Sequence, residues 1–240
     1  MQTDKFTYTI QYQEVDEHKL LRLYTLENYL LNSAGLSADK HGFGVKYLFP
    51  QHLTWVLTNL SLQVNALPAP GDEMVVETWV QEHIHTLSVR NFRIYINGVK
   101  QGEARSVWAI LNTEDRTIQN VFDRPVFQLD EVGEKLDLPR LARHVEPMTP
   151  SKETFHQIAY SDIDYNGHCN SCKYMERMFD LQEPPVESLP LRLDLRYAKE
   201  VYKGDEIRIS FANADGKYHY NLYSPHGELS CSATIATLIS

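Results

Sequence analysis

The sequence predicts an α+β protein of two tandem units, each an antiparallel sheet wrapped around a central helix, and three observations carry that prediction. Tyr12-Gln-Glu-Val-Asp16 returns as Tyr160-Ser-Asp-Ile-Asp164, and each copy leads into a helix-like run. Gly71-Asp-Glu-Met-Val-Val-Glu-Thr-Trp79 returns as Gly204-Asp-Glu-Ile-Arg-Ile-Ser-Phe211, preceded by the strand-like runs Leu60 to Val64 and Leu193 to Tyr197. Apolar and polar residues then alternate with the period of a strand that buries one face. A helix laid on the apolar face of an antiparallel sheet is a standard layer solution, and here it occurs twice.

The first helix is predicted from Leu20 to Ala34, where Leu23, Leu26, Leu30 and Ala34 recur at helical spacing and Gly35 supplies a stop. The second is predicted to start at a cap on Asn170 or Ser171, to bury Tyr174, Met178 and Phe179, and to end before Pro184 and Pro185. Leu191, Leu193, Leu195 and Tyr197 alternate with Arg192, Asp194 and Arg196, and Ile207, Ile209 and Phe211 with Arg208 and Ser210. Further strands are predicted at Ser88 to Ile96, Ala104 to Leu111, Tyr218 to Tyr223 and Cys231 to Leu238. Gly-Asp-Glu reads as a hairpin turn in both copies. The first copy is about fifteen residues longer between Asp16 and Gly71 than the second between Asp164 and Gly204, and the surplus is placed at His41 to Gln51. Residues 123–150 are charged and contain Pro125, Pro139, Pro147 and Pro150, as a linker would. The division is therefore 1–122, a linker at 123–150, and 151–240.

Composition limits the function classes. Of 240 residues, 42% are hydrophobic and 23% charged, which argues against disorder and against a membrane protein. No run approaches the length of a membrane span, and no export signal is visible. A net charge of −9 disfavours nucleic acid as a partner. Arg192, Arg196, Lys199, Lys203 and Arg208 cluster in sequence and could receive an anionic carrier; a solvated strand face of mixed charge is the plainer reading. Three cysteines are too few for a disulfide scaffold and favour a cytoplasmic location.

The chemistry concentrates in Tyr160-Ser-Asp-Ile-Asp-Tyr-Asn-Gly-His-Cys-Asn-Ser-Cys-Lys-Tyr174. Asp164 can act as base or nucleophile, Asn166 can donate or accept a hydrogen bond, and His168 can orient a group or shuttle a proton. The first copy does not repeat the set, since Asp164, Asn166 and His168 align with Asp16, His18 and Leu20. Taken singly, Asn-Gly is a turn signal and one histidine is more often packed or solvated than reactive. A glycine-containing lead-in to a helix N-terminus would, however, aim backbone N–H groups at a ligand and stabilise an oxyanion.

The run resembles the Asp-x-Asn-x-His-x-Asn-Asn-x-x-Tyr signature of the acyl-acyl carrier protein (acyl-ACP) thioesterases, a double hotdog family, and the likeness extends from Phe6 to about Leu238. It implies tandem hotdog domains, the first on the acyl-pocket side and the second catalytic. It also implies release of a free fatty acid from a phosphopantetheine-linked carrier protein, as in fatty acid biosynthesis, with no organic cofactor and no metal. The family's Arg-Glu-Cys-Gly-Arg-Asp-type segment is matched by Tyr197-Ala-Lys-Glu-Val-Tyr-Lys-Gly-Asp205, which adds Glu200 to Asp164, Asn166 and His168 as implied catalytic residues. Without the likeness, Glu200 reads as an exposed charge. Val201 stands where some members carry a cysteine, so a thiolate there is excluded. Water attack assisted by Glu200 or Asp164, and attack by the Asp164 carboxylate itself, both stay open.

Other motifs weigh less. Cys169-Asn-Ser-Cys172 has metal or redox spacing but no second pair, so the cysteines read as packing residues. His83-Ile-His85 is an incomplete ligand set and reads as surface. Nucleophile elbows, Walker loops and Rossmann fingerprints are absent from the sequence. An acyl-CoA thioesterase and a non-catalytic acyl-binding module are the competing readings. A hotdog hydratase is disfavoured, because Asp164 and His168 are separated by three residues and Asp162 and His168 by five, not by four. Leu23, Tyr24, Leu26, Trp55 and Trp79 could line an acyl pocket, although such a stripe is ordinarily core. A homodimer is compatible with the sequence and not required by it, since duplication already supplies the hotdog pair.

Overall fold

The computed structural model describes residues 3–129, 131–139 and 149–238. The chain divides into two compact units, Met1–Leu62 with Ala66–Leu138, and Gln63–Asn65 with Pro139–Ser240.

The first unit holds β1 (Asp4–Thr9), α1 (Leu23–Lys40), the short α2 (Val45–Leu48), β2 (Leu53–Val64) as far as Leu62, β3 (Glu73–Ile84), β4 (Leu87–Ile96), β5 (Val99–Asn112) and β6 (Ile118–Gln119). Its strands follow the order β1-β3-β4-β5-β2, with β6 on β5, and the β1-β3, β3-β4, β4-β5 and β5-β6 pairs are antiparallel. Helix α1 packs on β3 and buries Leu23, Leu26, Leu30, Ala34 and Ala38. Each fully buried leucine on this stripe contributes about 2 kcal/mol of apolar transfer.

Gly35 does not end this helix. Ser37 and Ala38 continue the buried face, and the far end is held by Asp4, which accepts from Ser37 Oγ at 2.8 Å, Lys40 Nζ at 2.5 Å and His41 Nε2 at 2.8 Å. Those bonds and the continued burial outweigh the glycine penalty of about 1 kcal/mol. The helix ends instead at His41, followed by Gly42 at φ +80°. The surplus placed at 41–51 does include extra structure, the short α2 and a turn at Phe49–Gln51.

The second unit holds β7 (Lys152–Gln157), α3 (Ser171–Leu181), β8 (Leu191–Tyr197), β9 (Glu206–Ala214), β10 (Lys217–Tyr223) and β11 (Leu229–Thr237), in the sheet order β8-β11-β10-β9-β7. All four pairs are antiparallel. Helix α3 packs on β9, β10 and β7 and buries Cys172, Tyr174, Met175, Met178 and Phe179.

Strands β1 and β7 are absent from the sequence-based prediction. Both lie at the end of their unit's strand order and leave alternate residues exposed, so neither shows a strong apolar pattern. The Gly-Asp-Glu segments are not hairpins. In neither unit are the flanking strands neighbours, so Gly71 (φ +87°) and Gly204 (φ +92°) sit in crossover turns. Each turn bonds to the chain after the first strand of its unit: Gly71 N donates to Ile10 O and Ile10 N to Asp72 O, as Gly204 N donates to Ile158 O and Ile158 N to Asp205 O.

Much of the segment read as a linker packs on the first unit. Phe127, Leu136 and Leu138 are buried, and Arg105 donates to Leu136 O and Leu138 O, while Trp79 Nε1 and Asn91 Nδ2 both donate to Glu134 O. Trp79 thus packs against Leu136 and Leu138. Residues 130 and 140–148 of the expected linker, Pro147 among them, lie outside the described residues.

Candidate active site

The reactive run forms a closed loop between β7 and α3, pinned at both ends by Asp162. This carboxylate is fully buried and accepts from Ala159 N at 2.9 Å and Arg177 Nη2 at 2.7 Å, with His156 Nε2 at 3.3 Å. Burial alone would raise its pKa, but the Ala159 N–H, Arg177 and His156 outweigh it and hold the carboxyl below its usual range. Asp162 O then accepts from Asn170 N at 2.8 Å, which closes the loop just before the helix.

Inside the loop, Asp164 N donates to His168 O at 2.8 Å and Gly167 N to Asp164 O at 3.1 Å, a tight turn that needs the positive φ of Gly167, +81°. Asp164 Oδ1 accepts the backbone N–H groups of Asn166 at 2.8 Å and His168 at 3.4 Å. Asn170 caps α3 by accepting from Cys172 N at 2.9 Å, and its carbonyl accepts from Lys173 N at 2.9 Å. Two of the helix's leading donors therefore face their own cap. The predicted cap at Asn170 is borne out, with α3 starting at Ser171, while the expectation that the leading N–H groups face a ligand is corrected for Cys172 and Lys173, whose N–H groups bond to Asn170.

One backbone bond brings the distant Glu200 into the site. Cys169 N donates to Val201 O at 2.9 Å, and the residues just before them, His168 and Glu200, consequently stand side by side with Nδ1 and Oε1 3.4 Å apart. Their side chains are 18% and 31% exposed, open enough to meet a substrate and screened enough to interact. Tyr202 completes the group: its hydroxyl donates to Glu200 Oε2 at 3.3 Å, and its ring stands edge-on to His168 with centroids 5.1 Å apart. Tyr174 of α3 ties the segment down, donating to Lys199 O at 3.4 Å and accepting from Val201 N at 3.1 Å. Burial raises the Tyr174 pKa, so it stays a neutral hydroxyl.

Of the four predicted site residues, His168 and Glu200 meet directly, and Asp164 joins them through the loop backbone, where the Asn166 N–H is one of its donors. Sequence reasoning missed Asp162, Arg177 and Tyr202. A signal for the first was present, because the repeated pentapeptide carries an acidic residue at both Glu14 and Asp162. The first unit repeats that arrangement with Tyr29 donating to Glu14 at 2.7 Å, where the second has Arg177 and Asp162.

The equivalent loop of the first unit is built bond for bond. Asp16 N donates to Leu20 O at 2.9 Å, Asp16 Oδ1 accepts from His18 N at 2.9 Å and Leu20 N at 3.0 Å, and Leu21 N donates to Pro68 O at 2.9 Å. By these bonds Leu20 and Leu67 occupy the places of His168 and Glu200.

The secondary motifs resolve simply. Cys169 and Cys172 are buried free thiols, and burial, with Asp162 nearby, pushes the Cys169 thiol up to about 12, which keeps it from being a thiolate at neutral pH. Among the described residues, no group of three or more His, Cys, Asp or Glu is arranged to hold a metal. His83 and His85 do not share a face: His85 (φ +53°) lies in the β3-β4 turn, while His83 is not surface but stacks on Phe122 at 4.3 Å. Three members of the basic cluster meet acidic partners, Arg208 on Glu153, Arg192 on Asp194 and Lys199 near Glu228. No described helix is long and apolar enough to cross a membrane.

Comparison with known proteins matches both halves. The family model described as the acyl-ACP thioesterase N-terminal domain covers residues 2–127, and that of the C-terminal domain covers 145–236. A chloroplastic acyl-(acyl-carrier-protein) hydrolase of Cuphea viscosissima is 28% identical over 223 residues, 81% of this chain and 51% of the relative. The oleoyl-acyl carrier protein thioesterase 1 of Arabidopsis thaliana is 25% identical over 85% of this chain and 62% of its own length. The chain thus spans about half the length of the Cuphea relatives it matches. An acyl-ACP thioesterase structure from Bacteroides thetaiotaomicron superposes with a TM-score of 0.85 at 29% identity, covering 98% of this chain and 97% of the other. The 12:0-ACP thioesterase of Umbellularia californica shares the fold at a TM-score of 0.84 and 20% identity, over 98% of this chain and 96% of the other. The two helix-and-sheet units are a double hotdog.

Proposed function

This chain belongs to the acyl-ACP thioesterase family, and we propose that it hydrolyses acyl-acyl carrier protein to free fatty acid and holo-acyl carrier protein in fatty acid biosynthesis. The observation that supports this most is the His168–Glu200 pair, set in a loop whose twin in the first unit holds Leu20 and Leu67. Equal backbone and unequal side chains separate what folding needs from what chemistry needs. The reaction is assigned to the second unit and the acyl-pocket side to the first.

In the proposed mechanism, Glu200 removes a proton from water as its oxygen attacks the thioester carbonyl. The tetrahedral oxyanion collapses, the carbon–sulfur bond breaks, and the phosphopantetheine thiolate leaves with a proton relayed through His168. Asn166 orients the carbonyl. Asp164 holds the loop, because Oδ1 is committed to two backbone N–H groups, and that favours Glu200 over Asp164 as base. The phosphopantetheine arm approaches beside α3. No metal or organic cofactor has a step. A cytoplasmic location is part of the proposal, supported by three free, buried cysteines.

The test measures thiol and free fatty acid release from a chain-length panel of carrier-protein and coenzyme A thioesters, with Glu200→Gln and His168→Ala in parallel. Carrier-protein preference with loss in both variants supports the proposal. Equal or better coenzyme A turnover would replace it with an acyl-CoA thioesterase, and no turnover of either with an acyl-binding module.

A further inference from the structure

We propose that Tyr202 is a positioning residue for the His168–Glu200 pair, an assignment that rests on the hydrolytic reading above. Its hydroxyl takes Glu200 Oε2 while His168 Nδ1 faces Oε1, so the two carboxylate oxygens are held from opposite partners. The ring adds a second restraint, standing at 82° to the imidazole in an edge-to-face contact.

The twin loop shows that folding does not ask for this side chain. Tyr202 N donates to Asp205 Oδ2 at 2.9 Å and Asp205 N to Tyr202 O at 3.1 Å; in the first unit Ala69 N donates to Asp72 Oδ2 at 2.8 Å and Asp72 N to Ala69 O at 3.1 Å. An alanine therefore supports the same turn. Nor does Tyr202 serve a core, being 47% exposed. The phenol is present in the unit that has the imidazole and the carboxylate and absent from the unit that has Leu20 and Leu67. A carboxylate on a loop samples several rotamers, and restraining it and its histidine neighbour raises the fraction poised to activate water without adding substrate affinity.

The experiment compares Tyr202→Phe and Tyr202→Ala with wild type on an acyl-acyl carrier protein thioester, reading kcat and KM separately, with Glu200→Gln as control. Tyr202→Phe should lower kcat about fivefold and Tyr202→Ala about thirtyfold, with KM changed less than about twofold. Long-range proton–nitrogen spectra of the His168 ring should shift in both variants while the melting temperature holds. Unchanged kcat and an unchanged His168 ring in Tyr202→Ala would refute the assignment, as would a rise in KM alone, which marks a substrate contact. A fully active Glu200→Gln would instead remove Glu200 as the base, and a wild type that turns over no thioester would overturn the hydrolytic reading itself.

Discussion

Asp164 makes in the second unit the same two backbone bonds that Asp16 makes in the first, each Oδ1 accepting from the residues two and four positions ahead. Since the first unit has leucines where the second has His168 and Glu200, this aspartate geometry is a requirement of the loop. In the proposed mechanism it separates holding the site from performing the reaction.

Asp164→Asn should therefore keep much of the activity, because the amide oxygen can accept the same two N–H groups, whereas Asp164→Ala should lose about a hundredfold or more in kcat, roughly 3 kcal/mol of transition-state stabilisation. Steady-state kinetics on both variants decides the point. An asparagine variant as inactive as the alanine one would assign the Asp164 charge to the chemistry.

Gly35→Ala should stabilise the protein by about 0.5–1 kcal/mol. The glycine sits inside α1, a Cβ there meets nothing within 4 Å, and alanine lowers the entropy of the unfolded chain. Urea unfolding should show a higher midpoint at unchanged slope.

Gly133→Ala should act in the opposite direction by about 1–3 kcal/mol. A Cβ at this position would lie 2.5 Å from Val80 O and 2.9 Å from Gln81 Cα, and Gly133 N donates to Gln81 O at 2.7 Å. Lower thermal stability and faster proteolysis within residues 131–139 should appear together; a variant with wild-type values for both would remove the close approach from consideration.

Acid should weaken the fold through His83. Burial, reinforced by Arg90 and opposed by a bond to the Phe127 backbone, lowers its pKa to about 4. Above pH 6.5, its unfolded value, the ring is neutral in both states; as pH falls toward 4 the unfolded chain takes up a proton that the folded one refuses, and stability drops by about 2 kcal/mol after allowance for partial exposure. His219, also shifted down by burial, adds in the same window, while Asp4 and Asp162 act only at lower pH. His83→Phe should flatten the melting-temperature profile between pH 6.5 and 4, and equal slopes in variant and wild type would count against the assignment.

Much of this architecture was legible because it is written in local periodicity and repeated twice. The α3 face of Tyr174, Met178 and Phe179, the alternation of Leu191, Leu193 and Leu195, and the paired pentapeptides each encode structure within a few residues. The errors arose where a distant partner overrides a local preference. Gly35 is a stop signal until Asp4 clasps the far end of α1, and Gly-Asp-Glu is a hairpin signal until the flanking strands pair elsewhere.

The sequence by itself determined the duplication, the α+β class and the difference between Asp164, Asn166, His168 and their first-unit counterparts, because each is a property of residue order. Glu200 entered as a site residue only by likeness to a family. Only the tertiary structure decided that the bond from Cys169 N to Val201 O sets Glu200 beside His168, that Tyr202 touches both, and that Asp162 closes the loop from within. The reason is physical: periodicity reports which face of an element is buried, whereas a polar site depends on which loops a few long-range backbone bonds bring together.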